Sequence, residues 1–222
     1  MSRLVTAEVR LSVERALRRC LSVPLFRLLE HETRALYSLG LWVARRGHGV
    51  GEGAHPAPYT GPQTAMLYAL LFVSLVETVM LALLIPWPLV HRIVLFVDVY
   101  GMVQVLAFQA ACVTRPHVVE ADGSLRIRYG VLWDVRVPAS AIESVRVDRR
   151  FTKVDEDGVL TLAVAGQTSV TVELTEPVGY VRPLGKTGEA RAVRFHADDP
   201  RALVAAVTRG RTAPSPTPGP PG

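Results

Sequence analysis

Two apolar stretches joined by a short proline turn constrain this chain more than any other feature in it. Thr64–Ile85 is 22 residues long and carries one charge, Glu77. Ile93–Val113 is 21 residues long and also carries one charge, Asp98. A hydrocarbon core of about 30 Å is crossed by about 20 mostly apolar helical residues, so each stretch is long enough to span it. Joined through Pro86-Trp87-Pro88, they predict a transmembrane hairpin over residues 64–113, with spans at 64–85 and 89–113. The first long apolar run starts more than 60 residues in, behind charged sequence. Insertion is therefore expected to use Thr64–Ile85 itself as a retained anchor, without a cleaved leader.

Two spans return the chain to the side it left. Arg45 and Arg46 precede the first span and Arg115, Arg126 and Arg128 follow the second, while the turn holds only Arg92. The positive-inside bias then predicts a multi-pass inner-membrane protein with both termini in the cytoplasm, and Trp87 fits the outer interface.

Glu77 and Asp98 lie ten and eleven residues from Trp87. At a rise of ~1.5 Å per residue, both fall about 15 Å below the turn. Each sits on a helix face with polar or small neighbours, Ser74 and Thr78 in the first span and Gly101 and Gln104 in the second, as expected where membrane helices touch. An ionisable group at mid-membrane costs roughly 2.5–3.5 kcal/mol on insertion scales. The pair predicts either a proton or cation path, or two carboxyls sharing a hydrogen bond that locks the hairpin or an oligomer. Two helices alone cannot enclose a pore, so conduction would require a homo-oligomer or another membrane protein.

Residues 1–46 predict two amphipathic helices. Val9, Val13, Ala16, Leu17, Cys20 and Leu21 recur at helical spacing opposite a row of arginines. Pro24 suits the first turn of a second helix, which carries Leu25, Leu28, Leu29, Leu36, Leu39 and Val43. Such helices lie on an anionic membrane surface, or pack on each other or on the cytosolic domain. Residues 47–63, rich in glycine and proline, read as a linker, and residues 212–222 as a disordered tail. Only Lys153 and Lys186 of the 25 basic residues are lysine, and the arginines are spread along the chain without the clustered face that nucleic acid requires. The two cysteines, Cys20 and Cys112, give no disulfide framework.

After Arg115-Pro116 the hydropathy pattern alternates. Short strands are predicted at 117–121, 124–129, 131–137, 142–148, 159–165, 169–174 and 192–196, with Asp122-Gly123 and Asp157-Gly158 as hairpin turns. Asp198 or Asp199 caps a last helix whose first turn holds Pro200. The fold class is thus an α+β membrane protein: N-terminal amphipathic helices, a two-helix transmembrane hairpin, and a seven-stranded β domain over 114–211 closed by one helix. DGSLRIRYGVLWDVRVPASAIESVRV (Asp122–Val147) and FHADDPRALVAAV (Phe195–Val207) resemble a bacterial pleckstrin-homology-like domain. With the hairpin upstream, the chain looks like a group of actinobacterial integral membrane proteins. The resemblance implies a binding or scaffolding module and carries no catalytic residue. Eukaryotic relatives of that fold often bind headgroups through a basic first loop, but here the loop is Asp122-Gly123, with no basic residue.

Other motifs are negative. Gly179–Thr187 falls short of a P-loop, because Tyr180 stands where a glycine is needed. Asp155-Glu156-Asp157 lacks the remaining ligands of a calcium loop. The six histidines have no metal-ligand spacing and no nucleophile has a suggestive context. No cofactor and no enzymatic activity are expected. Arg182, Lys186 and Arg191 form a candidate headgroup-contacting loop. The expected function is a membrane-anchored scaffold acting through its cytosolic domain, with an anionic-lipid sensor or a small transport or channel subunit built on Glu77 and Asp98 as alternatives.

Overall fold

A computed structural model of the chain describes residues 23–45, 51, 53–151 and 156–212. The expected helix within residues 3–22 and the tail beyond Thr212 lie outside the described residues.

The chain is α+β, with four helices and two four-stranded sheets among the described residues. Helix α1 (Val23–Val43) is followed by β1 (His55–Ala57), α2 (Gly61–Leu84) and α3 (Pro88–Thr114). Then come β2 (His117–Val119), β3 (Leu125–Tyr129), β4 (Trp133–Val137), β5 (Ile142–Arg150), β6 (Val159–Leu162), β7 (Thr168–Val181), β8 (Thr187–Phe195) and α4 (Pro200–Thr212). Proline opens α2 and α3, where a missing N–H is harmless, and the segment between them is too short to do anything but reverse the chain. Both helices are long and apolar enough to cross a membrane. Only 6% of the apolar window of α2 and 17% of that of α3 is buried, which sets them apart from the core helices of a soluble protein.

Each predicted strand forms, with two additions: β7 and β8 run on beyond the expected 169–174 and 192–196 as a paired arm, and a further strand joins the first sheet. His55–Ala57, expected as linker, is an edge strand. It pairs antiparallel with β2, His55 opposite Val119 and Ala57 opposite His117. The β domain therefore has eight strands, not seven, and its first strand precedes the hairpin. The first sheet runs β1-β2-β3-β4 and the second β5-β7-β8-β6. In the second, β6 crosses to the far edge and pairs parallel with β8, an order that strand patterning does not reveal.

Period-two alternation turns Leu125, Ile127, Val135 and Val137 inward from the first sheet against Val170, Val172, Val193 and Phe195 of the second. Leu203 and Val207 of α4 close the open end. Helix α4 comes so near the β2–β3 turn that a Cβ on Gly210 would stand 2.5 Å from the Cα of Gly123. Gly123 itself has φ 81°, as the Asp-Gly turn demands.

Of the amphipathic helices, α1 is the one described, and it touches both the hairpin and the β domain, the latter through Val131 and Pro183. It packs along α3, with Ala35 against Ala107 and Ala111. Small residues at that seam permit close approach. The N-terminal turns of α1 leave Leu25, Leu28 and Leu29 exposed.

Phe195 is fully buried at the meeting of both sheets. Phe195→Ala is expected to lower unfolding stability by about 3–5 kcal/mol, whereas the same change at Phe151, 77% exposed, should fall within about 0.5 kcal/mol. Denaturant unfolding of the full chain in detergent distinguishes the two.

Candidate functional site at the junction of hairpin and β domain

The most elaborated cluster of polar and aromatic side chains lies where the two feet of the hairpin enter the β domain. Tyr59, two residues past β1, is fully buried. Its ring stacks on His117 at 4.5 Å between centroids, and its hydroxyl accepts the Gly130 N–H at 2.8 Å. Burial pushes the Tyr59 phenol well above its ordinary range. His117, the first residue of β2, meets Phe195 edge-on at 4.8 Å. Its Nδ1 accepts the Arg128 N–H at 3.0 Å, so the ring proton resides on Nε2, which donates to the His196 carbonyl at 2.9 Å. Complete burial holds this imidazole neutral and pushes its pKa down to about 3.

Amides join the two feet. Gln63 Nε2 donates to Gln109 Oε1 at 2.9 Å, and Gln109 Nε2 donates to Thr64 Oγ1 at 2.9 Å. Thr64 in turn donates to the Thr60 carbonyl at 2.7 Å. Asp198 supplies a cap from the far end of the chain. Its carboxylate accepts the Gly61 N–H at 3.0 Å, and its own N–H donates to the Pro58 carbonyl at 2.8 Å. Helix α2 starts without a side-chain cap from its own N-cap residue, so Asp198 satisfies one of its unpaired N–H groups. The last helix keeps Asp199, whose carboxylate accepts the Ala202 N–H. Ser169 fixes the loop between β8 and α4 by exchanging hydrogen bonds with both backbone groups of Ala197. His196 Nε2 lies 3.4 Å from Asp198; burial lowers its pKa and Asp198 offsets part of that.

Arg115, directly after α3, is half-buried, and its Nε has no hydrogen-bond partner among the described residues. Burial and the nearby Arg34 guanidinium lower its pKa, while Asp134 opposes the shift. The last turns of α3 are sunk in the domain: Ala107, Ala110, Ala111 and Cys112 are all at most 1% exposed. A Cβ on Gly130 would stand 3.2 Å from the Cys112 sulfur.

The residues singled out by sequence fall in three places. Asp98 is half-buried and accepts from Thr78 Oγ1 at 3.2 Å. With His91 it lines a small space between α2 and α3. Glu77, one residue before Thr78, points away and is exposed; no hydrogen bond joins it to Asp98 among the described residues. Arg182 and Lys186 come together at the tip of the arm formed by β7 and β8, where the Arg182 N–H donates to the Lys186 carbonyl at 2.7 Å. Both are exposed. Arg191 lies five residues along β8, about 16 Å at strand rise, where its N–H donates to the Gly158 carbonyl. It does not join the tip. The tip rests on α1: His31 Nε2 and the Pro183 carbonyl are 2.9 Å apart, and the Arg27 guanidinium occupies the space that a Cβ on Gly185 would need.

Sequence alone did not single out Tyr59, His117, Gln63 or Gln109, and offered Asp198 only as an alternative to Asp199 for capping the last helix, where Asp199 serves and Asp198 caps α2 instead. A signal was there in the amides: one glutamine stands near the β-domain end of each apolar stretch, where polar groups must find partners. Among the described residues no group of three metal-ligating side chains is assembled. No known protein family, no curated protein and no solved structure matches the chain.

The neutral state of His117 gives a pH dependence of known sign. An unfolded histidine titrates near 6.5 and the folded one at about 3. Between those values the unfolded chain holds the extra proton, so this residue's contribution to stability falls as pH drops from 6.5 toward 3 and is flat outside that window. His117→Gln, which can still reach both hydrogen-bond partners, is expected to remove roughly 3 kcal/mol of the loss between pH 7 and pH 4. Unfolding midpoints of the full chain measured across that range check it.

Proposed function

We propose that this protein is a membrane-anchored binding and scaffolding module, acting through a pleckstrin-homology-like domain on the cytoplasmic side of the cell membrane. The observation that carries this reading is the embedding of α3 in the β domain. The chain enters the membrane from β1 and returns to β2, its direct partner, and the feet are cross-tied by Gln63, Gln109 and Asp198. A domain attached in this way holds a fixed height and orientation over the bilayer, which is what a docking platform requires and a flexible tether does not provide. The seven strands β2–β8 closed by α4 support the domain type, while the parallel β6–β8 pair departs from a simple meander.

A second reading, anionic-lipid sensing, is favoured by the arm. Its tip combines Arg182 and Lys186 with exposed Val181 and Leu184, a mixture suited to an anionic interface. It also leans on α1, the helix that flanks a candidate span.

Hydrogen exchange of the full-length protein in nanodiscs separates the two. Under the scaffolding reading, protection of residues 181–187 is the same in neutral and anionic bilayers. Additional protection in anionic discs alone, lost at high salt and in the Arg182→Ala/Lys186→Ala double variant, would transfer the function to lipid sensing. For the scaffold itself, a photo-crosslinker placed at the exposed Phe151 or Leu184 positions is expected to yield discrete protein adducts in native membranes. Lipid adducts alone would count against it.

A further inference from the structure

Glu77 is the only charged residue of α2. It is exposed and has no hydrogen-bond or ion-pair partner among the described residues. If α2 spans the membrane, this carboxyl faces lipid near mid-depth, where ionisable groups almost always face other protein or water. Among the described residues α1 packs on α3, and the main helix contact of α2 is likewise with α3, on the side away from Glu77.

The residues around Glu77 form a regular seam. Met66, Leu70, Val73, Glu77, Met80 and Leu84 follow one another at spacings of four and three residues, and all six are exposed. This is the heptad pattern with which helices interdigitate. The less exposed row of the same helix, Leu67, Leu71, Ser74, Thr78 and Leu81, has the same spacing and turns Thr78 and Leu81 toward α3. The free seam is that row shifted by one residue, about 100° around the helix, so a further helix can pack on it without displacing α3.

Resting on the membrane reading above, we infer that this seam is covered by α2 of a second copy of the chain, with the two Glu77 side chains meeting at a two-fold axis along the membrane normal. Copies of one chain insert with the same topology, so a residue on a symmetric seam meets its own counterpart at its own depth. A carboxyl group suits that encounter: in its neutral form it both donates and accepts, and is complementary to itself. A single polar position in an otherwise apolar heptad seam is also the device that fixes register and partner number in coiled coils.

The test uses the full-length chain in membranes, with Cys20→Ser to remove one thiol and the buried Cys112 left in place. Single cysteines at Val73 and Met80 on the seam are compared, under oxidation, with Phe72 and Val79 on the other side of α2. Disulfide-linked dimer is expected from Val73→Cys and Met80→Cys and not from the other two. Adding Glu77→Leu should lower the dimer yield about fivefold, the scale of one interhelical hydrogen bond, whereas Glu77→Gln, whose amide is also self-complementary, should keep most of it. Equal yields from both sides, no dimer from the seam, or a yield indifferent to Glu77→Leu would overturn the inference. Carbonate extraction of the same samples separates the two levels. Release from the membrane overturns the membrane reading together with the dimer, and retention without seam-specific dimer overturns the dimer alone.

Discussion

The pairing of β1 with β2 is the constraint on which the rest of the structure depends. These strands are neighbours in the sheet, yet the whole α2–α3 hairpin lies between them in the chain. Closing so long a loop carries an entropic cost that grows only slowly with length, and a hairpin whose helices already pack antiparallel brings its own ends together. The short register then has little left to do but hold the feet in place. Once His55–Ala57 is paired, Tyr59 is carried over His117, Gly61 reaches Asp198, and Gln63 reaches Gln109. Without that pairing, the end of α3 would lose the partners that bury Cys112, and the first sheet would lose an edge.

The chemistry of the junction fits a structural duty. Each nitrogen of the buried His117 ring has one backbone partner, and both are satisfied only by the neutral ring. The Tyr59 hydroxyl is likewise spent on a backbone N–H. Groups so committed are unsuited to exchanging protons with a substrate, but they align the sheet with the helices, because each hydrogen bond links different elements. The strength of this arrangement lies in what a loss would leave behind: an unpaired buried polar group costs more than its hydrogen bond contributed.

Some of this was legible in the sequence, and the pattern of what was not has a physical cause. The apolar lengths determined two long helices, because solvation of a helix in lipid is a property of the segment alone. The Asp-Gly turns and the alternation of Leu125, Ile127, Val135 and Val137 located β3 and β4 for the same local reason. His55–Ala57 was hidden because three residues including a proline have no periodicity of their own; only the edge of an existing sheet makes them a strand. The position of β6 beside β8 and the capping of α2 by Asp198 are equally non-local. Glu77 and Asp98 share a depth, which counting gives, but not a face. One residue turns a helix by 100°, and it is Thr78 that points at Asp98. Arg191 resembled a third member of the basic tip only because sequence proximity in a strand hides a long extended distance.

The fixed junction also bears on how the β domain can be studied and used. Residues 114–211, the unit that hydropathy would excise, lack β1 and Tyr59, and with them the stacking partner of His117 and the group that accepts the Gly130 N–H. Cutting there exposes the edge of β2 as well, and an open edge invites pairing with other chains. The α2–α3 hairpin is therefore not an appendage to a self-sufficient domain. It is an insertion within that domain, and force or torque applied to α2 or α3 is delivered to the sheet with no compliant segment between them. For a scaffold this coupling means that whatever binds the β domain is placed at a set distance from the bilayer. For a seam along α2 that meets a second copy, it means that dimerisation in the membrane would also set the spacing and mutual orientation of the two β domains.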